Sequence, residues 1–238
     1  MSAGSHQSYQ SYLRLPQLLA QQVPLSRPAV HGELLFIVVH QTHELWFKSL
    51  LHDLAAIRDA LLDGRPWPAR DLFWRVHRVT ELLIEQVTIL ESLPHREFLL
   101  LRDALGQASG LQSAQFRELE TLSGGRRAGA GPSVWDAYLA LVGARGLPVD
   151  GRLPDSLDEI EASPDVFPDL CGLAQDLRRH DELWITWRQR HLLMAEGFIG
   201  AVPGTGGTGG TAFLASRAAH RYYPLLWRTP SCLAAAHE

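Results

Sequence analysis

Residues 32–63 read GELLFIVVHQTHELWFKSLLHDLAAIRDALLD. Apolar side chains recur here mostly three and four positions apart, which is the period of a helix and not the two-residue alternation of a strand. Gly64, Pro66 and Pro68 follow, so the spacing predicts one long helix from about Gly32 to Asp63. The same period predicts helices over Tyr9–Gln22, ended by Pro24 and Pro28, over Asp71–Ser92, broken by Pro94, and over His95–Leu105 and Leu111–Leu122. It continues over Ser133–Val142 with Ser133 as cap, over Pro168–Phe198, and from near Thr211 onward. No series of short alternating runs joined by Asn-Gly or Asp-Gly turns occurs, and no internal repeat. The chain reads as all-α.

The 238 residues suit one large domain or two small ones, and one compact unit over 1–238 is expected because the apolar content reads alike on both sides of the loop Ser123–Pro132. Hydrophobic residues are 46% and charged residues 20%, enough apolar surface to bury a core and far from a disordered composition. Lys plus Arg number 22 against 26 for Asp plus Glu, a net of -4. Such a balance offers no general field for a polyanion, so nucleic acid is not expected as a partner. Two cysteines, Cys171 and Cys232, are too few for a disulfide scaffold or a cysteine zinc site, and they fit a reducing cytoplasm. The opening MSAGSHQSYQSYLRL has no basic region followed by an apolar core. No apolar run reaches the roughly 20 residues a bilayer span requires, so a membrane is not expected as a partner either.

Four segments offer chemistry. Leu34 to Val39 is apolar on every side, which at helical period predicts enclosure by other helices. His40 follows it, on a stripe with Glu33, Phe36, Glu44 and Phe47. A hydrogen-bonded core histidine accounts for that pattern, and so does a non-haem metal set of His40, His43 and Glu44, although histidines three apart are not the His-Glu-x-x-His arrangement. His191 shares a face with Trp184, Trp187, Met194 and Phe198. An imidazole framed by large soft side chains suits an axial ligand to a porphyrin, and equally an apolar core stripe. The absence of Cys-x-x-Cys-His means that any haem would be held without thioether bonds. Gly204-Thr205-Gly206-Gly207-Thr208-Gly209 matches G-x-G-x-x-G formally but follows a helix with no strand to pair, which argues against a dinucleotide fingerprint. Its glycines let a loop approach a ligand, with Thr205 as donor, or simply connect two helices. Arg102 follows the apolar Phe98-Leu99-Leu100-Leu101, where its planar fork suits a small carboxylate at a pocket edge or a surface pairing with Glu97 or Asp103.

Together these segments resemble the tryptophan 2,3-dioxygenase family, a haem-dependent, mostly helical group. The resemblance rests on Ser8-Tyr9-Gln10-Ser11-Tyr12-Leu13, Pro24-Leu25-Ser26, Glu33 to Trp46, Ser109-Gly110-Leu111-Gln112-Ser113, Trp187-Arg188-Gln189-Arg190-His191, Pro203 to Gly207 and Tyr223-Pro224-Leu225-Leu226-Trp227, in the family's order. It implies a helical bundle enclosing a noncovalent haem b, active as Fe(II). The implied reaction opens the indole of L-tryptophan between C2 and C3 with O₂ to give N-formylkynurenine, the entry to the kynurenine pathway. It implies His191 as the axial ligand to the haem iron, with Trp187, Ser109 and Gly110 beside the haem. His40 becomes the catalytic histidine near the indole N–H, Phe36 and Phe98 pack against substrate, Arg102 clamps its carboxylate, and Thr205 contacts its ammonium and carboxylate. Ser109 and Gly110 also line the substrate pocket. Tyr9, Tyr12 and Leu13 belong to a helix that reaches a neighbouring subunit's site in a homotetramer.

This sequence departs from the family's pattern at Leu101 and Leu111, where phenylalanine is usual, at Gly32, where aspartate is usual, and at Glu196-Gly197 in place of Glu-Arg. The part between Glu120 and Asp181 is shortened, with the loop Gly124–Pro132 where more helix is expected. These departures admit two rival readings: a haem monooxygenase of a substituted tryptophan or indole, and a haem-binding sensor without turnover. Retention of Arg102 and Thr205 argues against the sensor, since gas sensing needs no amino-acid clamp.

Overall fold

A computed structural model describes residues 8–106, 108–125, 128–200 and 209–228. Within them the chain forms α1 (Tyr9–Leu13), α2 (Leu15–Leu18), α3 (Glu33–Leu62), α4 (Pro66–Glu91) and α5 (His95–Leu105). There follow a 3₁₀ turn at Gly110–Gln112, α6 (Ala114–Ser123), α7 (Val134–Ala144), α8 (Leu153–Ala162), α9 (Pro168–Ile199), α10 (Thr211–Ala218) and a 3₁₀ turn at Pro224–Trp227. No strand occurs among the described residues, so the all-α reading holds. No described helix is long and apolar enough to cross a membrane.

Three long helices build the core because their buried residues alternate three- and four-residue steps. These are Phe47, Leu50, Leu54, Ile57 and Leu61 on α3, Ala69, Phe73, Val76, Leu83, Val87 and Leu90 on α4, and Leu170, Leu173, Leu177 and Trp184 on α9. That period lets the side-chain ridges of one helix pack into the grooves of the next. Accordingly α4 packs most heavily on α9 and α3. Thr42 Oγ1 donates to Gln86 Oε1 at 3.0 Å and fixes the α3–α4 register. A second, smaller cluster joins Val30, Leu93, Leu101 and Phe198, with Phe36, Phe98, Met194 and Ile199 packed on it.

Buried polar groups tie the later segment to α9. Asp181, fully buried, accepts from the backbone N–H of Tyr222 at 2.7 Å and of Tyr223 at 3.0 Å, and from Trp227 Nε1 at 3.0 Å. Burial pushes its pKa up, while those three donors pull it back toward the ionised form. Arg188 donates to the Tyr222 hydroxyl at 2.6 Å and to the His220 carbonyl at 3.1 Å. Asp181→Ala strands two buried backbone N–H groups and the half-buried Trp227 indole N–H at once, and a loss of about 3 kcal/mol or more in denaturant unfolding is expected. A loss within 0.5 kcal/mol would contradict the clamp.

Several sequence expectations need correction. The helix expected over Tyr9–Gln22 is two short pieces separated by Arg14, whose φ of 51° lies in the left-handed region. Pro66 and Pro68 do not merely end α3: α4 starts at Pro66, since the first turn of a helix has no use for the N–H that proline lacks. Helix α8 was not expected. Leu34 to Val39 is not enclosed: Leu34 is 50% and Val38 38% exposed, because neighbouring elements cover only the side of α3 carrying Phe36 and Val39. Ser133 does cap α7, in a reciprocal capping box with Asp136. No regular helix spans Gly124–Pro132 among the described residues.

Candidate active site

The site lies where the two apolar clusters meet along α9. Trp187 packs on the main cluster, and Met194 and Phe198 belong to the smaller one, so His191 stands on the seam between them. Its imidazole stacks on Trp187, ring centroids 5.3 Å apart and planes 5° from parallel. Burial, with His40 and His43 nearby, pushes His191 down to about 4, which leaves a neutral imidazole at neutral pH. No hydrogen bond to its ring nitrogens occurs among the described residues.

Two imidazoles on α3 face this region, one helical turn apart. His40 Nδ1 lies 2.7 Å from the carbonyl oxygen of Phe36. A carbonyl can only accept, so Nδ1 carries the proton and the neutral ring presents Nε2 as an acceptor. The ring also lies against Phe36 at 4.1 Å between centroids. His40 is open to solvent on one edge, yet enough protein surrounds it that desolvation lowers its pKa, against the Phe36 carbonyl and the Glu44 charge. His43 repeats the arrangement, with Nδ1 2.9 Å from the Val39 carbonyl oxygen. Its Nε2 accepts from Trp187 Nε1 at 3.5 Å.

The bare-metal reading of His40, His43 and Glu44 fails on this geometry. Glu44 Oε2 accepts from Gln115 Nε2 at 2.7 Å and the Nε2 of His43 is directed to Trp187. Among the described residues no group of three or more histidine, cysteine or carboxylate side chains could hold a metal ion. Glu33, on the same stripe, turns the other way: its carboxylate accepts the N–H of Leu25 at 2.6 Å and of Ser26 at 3.0 Å, and the Ser26 hydroxyl. Burial works to raise its pKa, but these donors outweigh it and hold the carboxyl below the usual range.

A haem fits the residues present. Iron that brings its own four equatorial nitrogens needs one neutral imidazole and flat apolar walls, and His191 with Trp187 and the Met194–Phe198 side supplies both.

Phe98 stacks on Phe198 at 4.5 Å and 20°, and Arg102 stands one turn further along α5, half-buried. Leu101, between them, is buried with Val30, Leu93 and Phe198, so leucine fills that position within the smaller cluster. Ser109 and Gly110 lead into the 3₁₀ turn, with the Gln112 N–H donating to the Ser109 carbonyl at 2.9 Å. A Cβ on Gly110 would meet nothing within 4 Å, which leaves open space beside it. At Gly32 the opposite holds: a Cβ would stand 2.1 Å from Leu93 Cδ1 and 2.6 Å from Glu97 Oε2, so an aspartate there would also face a second carboxylate. Tyr9, Tyr12 and Leu13 are 74%, 70% and 40% exposed. Glu196 and Gly197 are both exposed near the end of α9. Thr205 and the Gly204–Thr208 run lie outside the described residues, as does Cys232.

Sequence reasoning missed the His43–Trp187 contact and the Phe98–Phe198 stack. Their only signals were an aromatic on each partner helix, and neither signal pairs the two.

A profile for tryptophan 2,3-dioxygenase matches residues 1–130. The tryptophan 2,3-dioxygenase of Nocardioides sp. is 42% identical over 250 aligned positions, covering 94% of both chains. The chain belongs to the tryptophan 2,3-dioxygenase family. Family members from Pseudomonas aeruginosa and Caulobacter vibrioides are 34% and 36% identical, covering 95% and 92% of this chain and 90% and 96% of theirs. The family implies a haem and O₂, and the chemistry of the His191 surroundings is compatible with a haem.

Proposed function

We propose that this family member is a haem dioxygenase that adds both atoms of O₂ across C2 and C3 of the indole of L-tryptophan, breaking that bond to give N-formylkynurenine. The reading is carried by the pairing of His191, neutral and free to ligate, with His40, whose Nε2 is left as an acceptor by the Phe36 carbonyl. His191 holds the haem, with Trp187 against its ring and Ser109 and Gly110 bordering the cofactor. The haem, when bound, supplies the activation of O₂. The protein's residues place the substrate. His40 Nε2 accepts the indole N–H, Phe36 and Phe98 flank the ring, and Arg102 clamps the carboxylate with Thr205 at the ammonium end. Placement of this kind is worth roughly 7–11 kcal/mol in the best intramolecular cases. Tyr9, Tyr12 and Leu13 close a neighbouring subunit's site in a homotetramer, which would cover apolar surface that a single chain leaves exposed.

Anaerobic reduction of the holoprotein, addition of L-tryptophan and ¹⁸O₂, and mass analysis of the product test the reading. A gain of two labelled oxygen atoms is expected; a gain of one would overturn ring opening. The His40 tautomer also predicts a pH profile. Protonation puts N–H on both ring nitrogens and removes the acceptor, and the pKa is lowered from 6.5. So kcat/KM should be flat at pH 7 and above and fall only in the acid range, through a value below 6.5. In His40→Ala the acid limb should vanish; a limb that persists unchanged assigns it elsewhere.

A further inference from the structure

Trp187 is the part of the site whose orientation is set from outside α9. Its indole N–H points to His43 Nε2 on α3, while one face of the ring lies nearly parallel to His191. His43 is itself held by the Val39 carbonyl at its Nδ1 and by an edge contact with Phe47, 5.9 Å between centroids. Because Val39 and Phe47 are buried, the anchor belongs to the rigid part of α3. Phe116 on α6 packs on Trp187 at 5.3 Å between centroids but offers no hydrogen-bond acceptor. His43 therefore supplies the directional contact that chooses the plane of the indole, and the indole plane chooses that of the imidazole stacked on it.

We infer that His43 is a positioning residue: through its hydrogen bond to Trp187 it fixes the ring plane of His191 and hence the attitude of that imidazole toward the haem. This rests on the haem reading above and goes beyond it, since His43 touches neither the indole substrate nor the reacting atoms in that reading.

The test is a double-mutant cycle on hemin release, with apomyoglobin as acceptor, using His43→Leu, Trp187→Phe and the double variant. Trp187→Phe keeps an aromatic face for His191 but removes the N–H. At 3.5 Å the hydrogen bond is long, so each single substitution is expected to speed hemin loss by about three- to fivefold. The double variant should be no faster than the faster single, because both remove one and the same contact. The iron–imidazole stretching band of the ferrous protein should shift in the same direction in all three, which loss of packing elsewhere would not produce. Multiplying effects in the cycle, or a band unmoved in His43→Leu, would overturn the assignment while leaving the haem reading intact. Wild-type protein that takes up no hemin would overturn both. If His43→Leu does not fold, Trp187→Phe alone decides through the band: unmoved, it sinks the inference.

Discussion

His191→Ala is expected to lose haem retention altogether, while His40→Ala, on α3, should keep a full complement. The asymmetry follows from the two imidazoles' hydrogen bonds and surroundings. His191 is the one with no hydrogen-bond partner at its ring nitrogens among the described residues, and burial keeps it neutral by lowering its pKa to about 4. His40 has one nitrogen committed to the Phe36 carbonyl and sits on an edge open to solvent. Pyridine haemochrome absorbance against protein concentration reads the result directly. A His191→Ala protein carrying haem at wild-type stoichiometry would remove the axial-ligand assignment, and adding imidazole to the variant should restore partial binding.

Arg102→Ala should raise KM for L-tryptophan by roughly 10- to 100-fold, the worth of one or two charge-assisted hydrogen bonds. Turnover of plain indole, which has no carboxylate, should change less than about threefold by the same reasoning. Arg102 stands on α5 one turn past Phe98, whose ring is locked on Phe198 of α9. The guanidinium is thus carried by a helix that is docked against α9, which bears His191. Arg102→Lys keeps the charge but not the planar fork, so it should recover only part of the lost affinity. Equal losses with both substrates would point to a displaced α5 instead of a missing clamp.

Much of the frame was legible in the chain itself. The three- and four-residue steps that predicted a helix over Gly32–Asp63 are the buried positions of α3, and those over Pro168–Phe198 are the buried positions of α9. Periodicity is a local property, and it survives because each of these helices must bury one face whatever it packs against. The N-terminal piece and α8 were misjudged for different reasons. The left-handed Arg14 that divides the N-terminal piece leaves no period to read, whereas α8 does carry one, in Leu153, Leu157 and Ile160, that was passed over between Pro148 and Pro168. At the site, His40, His191 and Arg102 were each visible as candidates, each with an ordinary structural explanation that spacing could not remove, while the roles of Phe36 and Phe98 came only from the family resemblance.

The order of residues alone determined a helical protein, its longest elements, and which side chains had the chemistry to matter. Only the folded chain decided what those side chains do. It brought α3 and α9 together so that His43 meets Trp187 while the ring nitrogens of His191 find no hydrogen-bond partner among the described residues, it gave Glu44 to Gln115 and so removed it from a bare-metal set, and it turned Glu33 toward Ser26. A helix fixes the direction of its side chains to within one face, but a tautomer, a vacant lone pair or a stacked plane depends on atoms from other helices, and those arrive only with tertiary packing.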